Sequence, residues 1–120
     1  MELTDVTYQG PEIGNAQFFE SLPKPLRELL TALNGFILFN GGLHVRGVCD
    51  EPNWHSLQHV CEGPHALSKS YDALQSEDIP FGQDCSGDQF ILRDGALLRL
   101  MAETGELEPL SAGFGTFFEV

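Results

Sequence analysis

The sequence predicts an α+β domain in which N-terminal helices pack on a mainly antiparallel sheet with a C-terminal β-meander. One observation is a helical stripe with i, i+3, i+4, i+7 spacing, formed by Leu26, Leu29, Leu30 and Leu33. Another is the switch to short apolar runs and tight turns in the last third of the chain. Helices first and strands later favour α+β over alternating βαβ units.

The N-terminal third predicts two helices after a polar leader. Residues 1–14 are punctuated by glycine and proline, so we expect them to be loosely ordered. Asn15 is placed to cap a short helix that Pro23 ends. Pro25 suits the first position of the leucine-striped helix, and Asn34-Gly35 suits its C-terminal end.

The middle of the chain predicts strands and then helices. Residues 36–39 form a short apolar run, either a buried strand or the wall of a turn, and residues 43–48 alternate as a half-buried strand does. A helix is expected next, with Trp54, Leu57 and Cys61 on its buried face. His55 and His59 would then lie towards solvent.

A further helix is predicted from the spacing of Leu67, Tyr71 and Leu74, and residues 82–88 are predicted to form a polar loop. The Asp side chains of that loop are expected to cap backbone amides.

The C-terminal third predicts a three-stranded meander. Residues 90–92 lead into Asp94-Gly95, a strong hairpin signal, and a second turn at residues 103–106 precedes a strand at 107–110. Residues 1–120 are expected to form one domain. Its closing helix, marked by Phe114, Phe117 and Phe118, is expected to be incomplete.

The charge balance excludes whole classes of partner. The 120 residues carry 6 Lys+Arg and 18 Asp+Glu, a formal net charge of −12. Nucleic acids and anionic membranes need clustered basic residues, so neither is expected as a partner. Three cysteines make a poor disulfide framework, and the first residues do not resemble a signal peptide. No apolar run approaches a membrane span. These features predict a cytoplasmic protein.

The residues that could carry chemistry form weak patterns. Cys49, His55, His59, Cys61 and His65 lie within 17 residues, but the cysteines lack the short spacing of zinc sites and no Glu follows His55. Surface histidines beside a semi-buried cysteine explain the set more simply. Gln83 to Gly87 fits a nucleophile-loop pattern, but a nucleophilic cysteine needs an environment that favours the thiolate, and acidic residues flank Cys85. We therefore predict no catalytic residue, no metal and no cofactor.

Three stretches, in order, resemble the SMI1/KNR4 family of the SUKH superfamily. The first is Leu22-Pro23 followed by the leucine-striped helix and Asn34-Gly35; the second is Ile79-Pro80-Phe81 with the following acidic-Gly loop and strand. The third is the hairpin series that ends near residues 114–119. Residues 44–74 resemble a bacterial subgroup. Cys85 and Asp88 stand where the family commonly has Gly and Asn.

The resemblance implies an α+β binding module without catalytic residues. Bacterial members are often immunity proteins that bind and block a toxin, frequently a nuclease. We therefore expect a basic toxin domain as the partner. The protein itself is expected to be a monomer or a weak homodimer. Partner-binding candidates are the exposed aromatic and acidic residues of turns: Asp50, Glu51, Trp54, Asp84 and Asp88. Two alternatives remain open. One is a small metal-binding protein or metal-dependent enzyme that uses the Cys/His set. The other is a scaffold or structural subunit of a larger assembly, with the terminal phenylalanines as its seam.

Overall fold

The fold is built on one antiparallel sheet. The computed structural model describes residues 6–38 and 42–110. Within these residues seven strands lie in chain order, each antiparallel to the next. The strands are β1 Val6–Gln9, β2 Phe36–Leu38, β3 Leu43–Val45, β4 Ile79–Asp84, β5 Gln89–Arg93, β6 Ala96–Leu100 and β7 Leu107–Pro109. The protein is therefore α+β, as predicted.

The helices are short and lie in the connections between strands. They are α1 Ala16–Glu20, α2 Lys24–Ala32 and α3 Leu57–Cys61, with single 3₁₀ turns at Asn53–His55 and Leu67–Lys69. Asn15 caps α1, because its side chain accepts a hydrogen bond from the Phe18 amide. Pro25 lies in the first turn of α2, at its second position rather than at the predicted first one.

The two faces of the sheet bury separate apolar clusters. Leu26, Leu29 and Leu30 of α2 pack on one face, against residues that include Phe36, Val45, Phe90 and Leu92. Ile91 and Leu100 on the other face pack with Leu67, Tyr71 and Leu74 of the connection before β4. Leu67, Tyr71 and Leu74 thus share a buried side, as their spacing indicates.

The expected helix over that connection is wrong. Only Leu67–Lys69 forms a 3₁₀ turn. The segment contains residues that favour turns over helix interiors, namely Gly63, Pro64, Ser68 and Ser70. The spacing of the apolar residues therefore reflects their shared burial and not a continuous helix.

Two other boundaries differ from the sequence prediction. Residues 6–9 of the expected leader form edge strand β1, whose pairing with β2 supplies backbone hydrogen bonds. Gly82, Gln83 and Asp84 belong to β4 rather than to a loop, because they pair with β3 residues 43–45. The predicted closing helix at Phe114, Phe117 and Phe118 lies outside the described residues.

The predicted hairpins at the C-terminal end are confirmed. Asp94 and Gly95 both adopt positive φ, 49° and 82°, as a two-residue turn of the I′ type requires. They join β5 to β6 with the pairs Arg93–Ala96 and Leu92–Leu97.

An ion pair fastens the 67–78 connection to the sheet. Asp78 accepts hydrogen bonds from Arg93 Nε at 2.7 Å and from Arg93 Nη2 at 2.6 Å, and a third from the Gln75 amide. Burial raises the pKa of Asp78, but these hydrogen bonds outweigh it and hold the pKa below its ordinary value.

Replacing Asp78 by alanine should therefore destabilise the protein by about 2–3 kcal/mol, since it removes a buried charged acceptor and strands its donors. Urea unfolding monitored by circular dichroism measures the change. Asp72→Ala, at an exposed position in the same connection, is the matched control and should stay within about 0.5 kcal/mol of the native protein.

No helix among the described residues is both long enough and apolar enough to cross a membrane.

Candidate protein-binding surface

Trp54 is exposed on a short turn between β3 and α3. Its side chain is 54% accessible to solvent, whereas its neighbour His55 is 0% accessible. The prediction that Trp54 faces the core and His55 faces solvent is therefore wrong. The reason is local: Trp54 and His55 lie on the 3₁₀ turn, and α3 begins only at Leu57, where the Ser56 side chain caps it. The helical spacing does not run through both elements.

Three rings contact the exposed indole and hold it in place. The ring centre of Trp54 lies 5.1 Å from Tyr8, 5.7 Å from His44 and 5.8 Å from His55. Tyr8 belongs to β1 and His44 to β3, and the two face the same side of the sheet through their common neighbour Ile37. We call Tyr8, His44, Trp54 and His55 the aromatic platform. Ring contacts of this kind favour one orientation of the indole.

A hydrogen-bond chain underlies the platform. His44 Nε2 lies 2.8 Å from His55 Nδ1, and His55 Nε2 lies 2.9 Å from the carbonyl oxygen of Asn34. A carbonyl only accepts, so His55 Nε2 donates to it. In neutral His55 the Nδ1 is then an acceptor, and His44 Nε2 donates to it. The chain therefore defines the tautomer of both rings and ties β3 to the turn before β2.

The backbone around His55 is packed to the limit that glycine allows. A Cβ atom on Gly47 would lie 2.2 Å from the Asn34 carbonyl oxygen, and one on Gly10 would lie 1.8 Å from the same atom. Gly35 adopts a φ of +80° beside the His55 ring. The Asn34 side chain completes the junction by bonding to Pro11 and Val48. The 3₁₀ turn that carries Trp54 thus rests on a rigid base.

Burial keeps both histidines neutral. It lowers the pKa of His44 to about 4, helped by the positive charge that His55 would carry if protonated and by that of Arg46. Burial also lowers the pKa of His55, against the hydrogen bond to Asn34. The pair therefore stays uncharged near neutral pH.

Acidification should destabilise the fold through His44. The folded protein disfavours its protonation, so stability is unaffected above the unfolded-state pKa of 6.5 and falls as the pH drops from 6.5 to about 4. The full loss should be about 3 kcal/mol, at 1.36 kcal/mol per pKa unit. Urea unfolding between pH 7.5 and 4 measures it. Titration of the His44 ring by NMR is the direct check, and a midpoint at pH 6 or above would contradict this account.

Two carboxylates without an ion-pair partner precede Trp54 in the chain. Asp50 and Glu51 are exposed, and neither forms an ion pair with any residue of 6–38 or 42–110. Together with Pro52 and Asn53 they line a surface cavity of about 780 Å³. Asp50 also lines a neighbouring cavity of about 290 Å³, whose wall includes Glu62. The wall of the larger cavity thus ends at Asn53, the residue directly before Trp54 in the chain.

The other two candidate residues lie elsewhere. Asp84 pairs with Leu43 across the sheet, so it points to the face opposite His44. Its carboxylate accepts from the Ser86 and Asp88 amides and pairs with Arg99 at 3.0 Å, which confirms the expected capping of this turn. Asp88 is 7% exposed; the Ala102 amide and then Arg99 hold its pKa below its ordinary value. Both carboxylates already have intramolecular partners.

The Cys/His set does not converge on one point. His55 is buried and hydrogen-bonded to His44, whereas His59 and His65 stack on each other with ring centres 4.7 Å apart. Burial raises the pKa of Cys49, and it raises the pKa of Cys61 to about 12, so both thiols stay protonated. Among the residues described here, no group of three or more His, Cys, Asp or Glu side chains is placed to hold a metal ion.

A buried arginine lies close to the two buried histidines. Arg46 is 4% exposed, and its guanidinium donates to the Pro80 carbonyl and to the side-chain oxygens of Gln83 and Gln89. Burial lowers the pKa of Arg46 to about 10. Its Nε has no hydrogen-bond partner within the described part of the chain. Sequence reasoning missed Arg46, Asn34 and His44, since only the pairing of distant strands brings them together.

Comparisons with protein-family models, with curated proteins and with solved structures give no match to this chain.

Proposed function

We propose that the protein is a non-enzymatic binding module of the SMI1/KNR4 type, an immunity protein that binds and neutralises a basic toxin domain. The observation that carries the proposal is the half-exposed Trp54, which contacts Tyr8, His44 and His55 and closely follows the exposed Asp50 and Glu51 in the chain. Tryptophan is among the residues most enriched at interface hot spots. A large apolar side chain left in water on a rigid base is well suited to contact a partner.

The charge supports a basic partner. Asp50, Glu51 and Glu62 border the two cavities near this turn, and the whole chain has a formal net charge of −12. A nuclease must present a cationic surface to bind phosphates. The negative field of this protein would speed encounter with that surface, and the bound protein would then cover it.

The rigid base also favours tight binding. Ordering a mobile side chain at an interface costs roughly 0.5–1.5 kcal/mol. Trp54 is already ordered by contacts with three rings, and His55 beneath it is tied to Asn34. Most of the conformational entropy of the Trp54 side chain is therefore lost on folding and not on binding.

Capture and co-expression test the proposal together. The purified protein would be immobilised, incubated with lysate of the source cell and eluted with a salt gradient. We expect a basic protein that elutes with salt, and that arrests growth when its gene is expressed in a heterologous host. Co-expression of the native chain should restore growth, whereas the Asp50→Asn/Glu51→Gln/Trp54→Ala variant should not. A captured protein without toxicity, or toxicity that the native chain does not relieve, would overturn the immunity function.

A further inference from the structure

We propose that the surface formed by Trp54, Tyr8, Asp50 and Glu51 seats an arginine side chain of the protein partner. This inference rests on the proposed function and narrows its chemistry. It starts from three observations: an indole with an open side, two carboxylates without an internal partner, and the absence of an ion pair between these carboxylates and any basic residue among those described.

The open side of Trp54 suits a planar cation. Tyr8, His44 and His55 contact the indole from the protein side, and more than half of its surface remains in solvent. Guanidinium groups stack on tryptophan faces within about 6 Å of the ring centre, through both charge and planarity. A lysine ammonium gains only the charge, and it is more strongly hydrated.

The carboxylates of Asp50 and Glu51 supply the second half of the seat. They lie on the wall of the 780 Å³ cavity together with Asn53, and they are four and three residues before Trp54 in the chain. An arginine can stack on a ring while its N–H groups reach a carboxylate in a forked, two-bond arrangement. An ammonium cannot make this planar double contact.

None of the six basic residues of this chain pairs with Asp50 or Glu51, and Arg27 and Lys69 form no ion pair with any residue that the structure describes. Lys24, Arg93 and Arg99 are paired with acidic residues of their own surroundings. Arg46 lies near enough to His44 and His55 to lower their pKa, but its guanidinium is buried and donates to Pro80, Gln83 and Gln89. The two carboxylates are therefore available to a cation from outside.

The test uses two short peptides and the single tryptophan. N-acetyl hexa-arginine amide and N-acetyl hexa-lysine amide carry equal charge, and Trp54 fluorescence reports binding directly, because the chain has one Trp. Titrations of the full chain at low and moderate salt should give about two- to fivefold tighter binding for hexa-arginine, the preference expected from stacking. Equal affinity for the two peptides would overturn the proposal.

Charge-matched variants locate the seat. Asp50→Asn/Glu51→Gln should weaken hexa-arginine binding about tenfold and remove its advantage over hexa-lysine. Glu103→Gln/Glu106→Gln removes the same charge at the exposed β6–β7 turn, beside the opposite edge strand, and should change affinity by less than about twofold. Equal losses in both variants would show only general attraction between polyions and would overturn the seat.

The outcome separates this inference from the immunity function. Growth rescue by the native chain without an arginine preference would leave the function standing and reject the seat. An arginine preference without growth rescue would reject the toxin-neutralising function and keep the seat as a property of the surface.

Discussion

Replacing Asn34 by alanine should destabilise the protein by about 3–4 kcal/mol. Its side chain accepts from the Val48 amide at 2.7 Å and donates to the carbonyls of Pro11 at 2.8 Å and Val48 at 3.0 Å. Asn34 is 7% exposed, so water cannot readily replace these bonds. Each buried hydrogen bond contributes roughly 1 kcal/mol, and a partner left unsatisfied costs more.

Urea unfolding at pH 7.5 measures the effect, and the linear-extrapolation slope checks that two-state behaviour holds. Asn53→Ala, at an exposed position of the 3₁₀ turn, is the control and should change stability by less than about 1 kcal/mol. A loss below about 1 kcal/mol in Asn34→Ala would mean that the junction beneath the platform does not support the fold.

Replacing Trp54 by alanine should weaken partner binding by at least about 2 kcal/mol, a factor of roughly 30, while lowering stability by only about 1 kcal/mol through the lost ring contacts. The separation follows from the 54% exposure of the indole, because truncation removes a contact surface for the partner but opens no internal cavity. Calorimetry with the captured partner measures affinity, and thermal unfolding measures stability.

Ile13→Ala is the matched control for that experiment. Ile13 is the other large apolar side chain exposed among the described residues, at 37%. Its truncation should leave affinity within about twofold of the native value. If Ile13→Ala and Trp54→Ala weaken binding equally, the effect is a general loss of apolar surface and Trp54 is not a hot spot.

The sequence predicted the elements whose signals are local. The leucine stripe of α2, the Asn15 cap and the Asp94-Gly95 turn each rest on residues close in the chain, and the structure contains all three. Their preferences come from backbone sterics and local hydrogen bonds, which act before distant segments meet.

The candidate surface was predictable only in part. Asp50, Glu51 and Trp54 stand out in the sequence as acidic and aromatic residues in a turn. The predicted burial of Trp54 and the predicted exposure of His55 were both wrong. The error came from extending one helical period across two elements. The burial of His55 depends on His44, Gly35 and Gly47, which approach it only after β2 and β3 pair. No pattern within residues 50–61 carries that information.

Hydrogen exchange of the complex tests the central claim most directly. The protein would be compared free and bound to the captured partner. We expect slowed exchange of the amides of residues 50–56, with the amides of the β6–β7 turn at residues 102–106 unchanged. Protection confined to that turn, or to the β4–β5 turn at residues 85–88, with residues 50–56 unaffected, would contradict it.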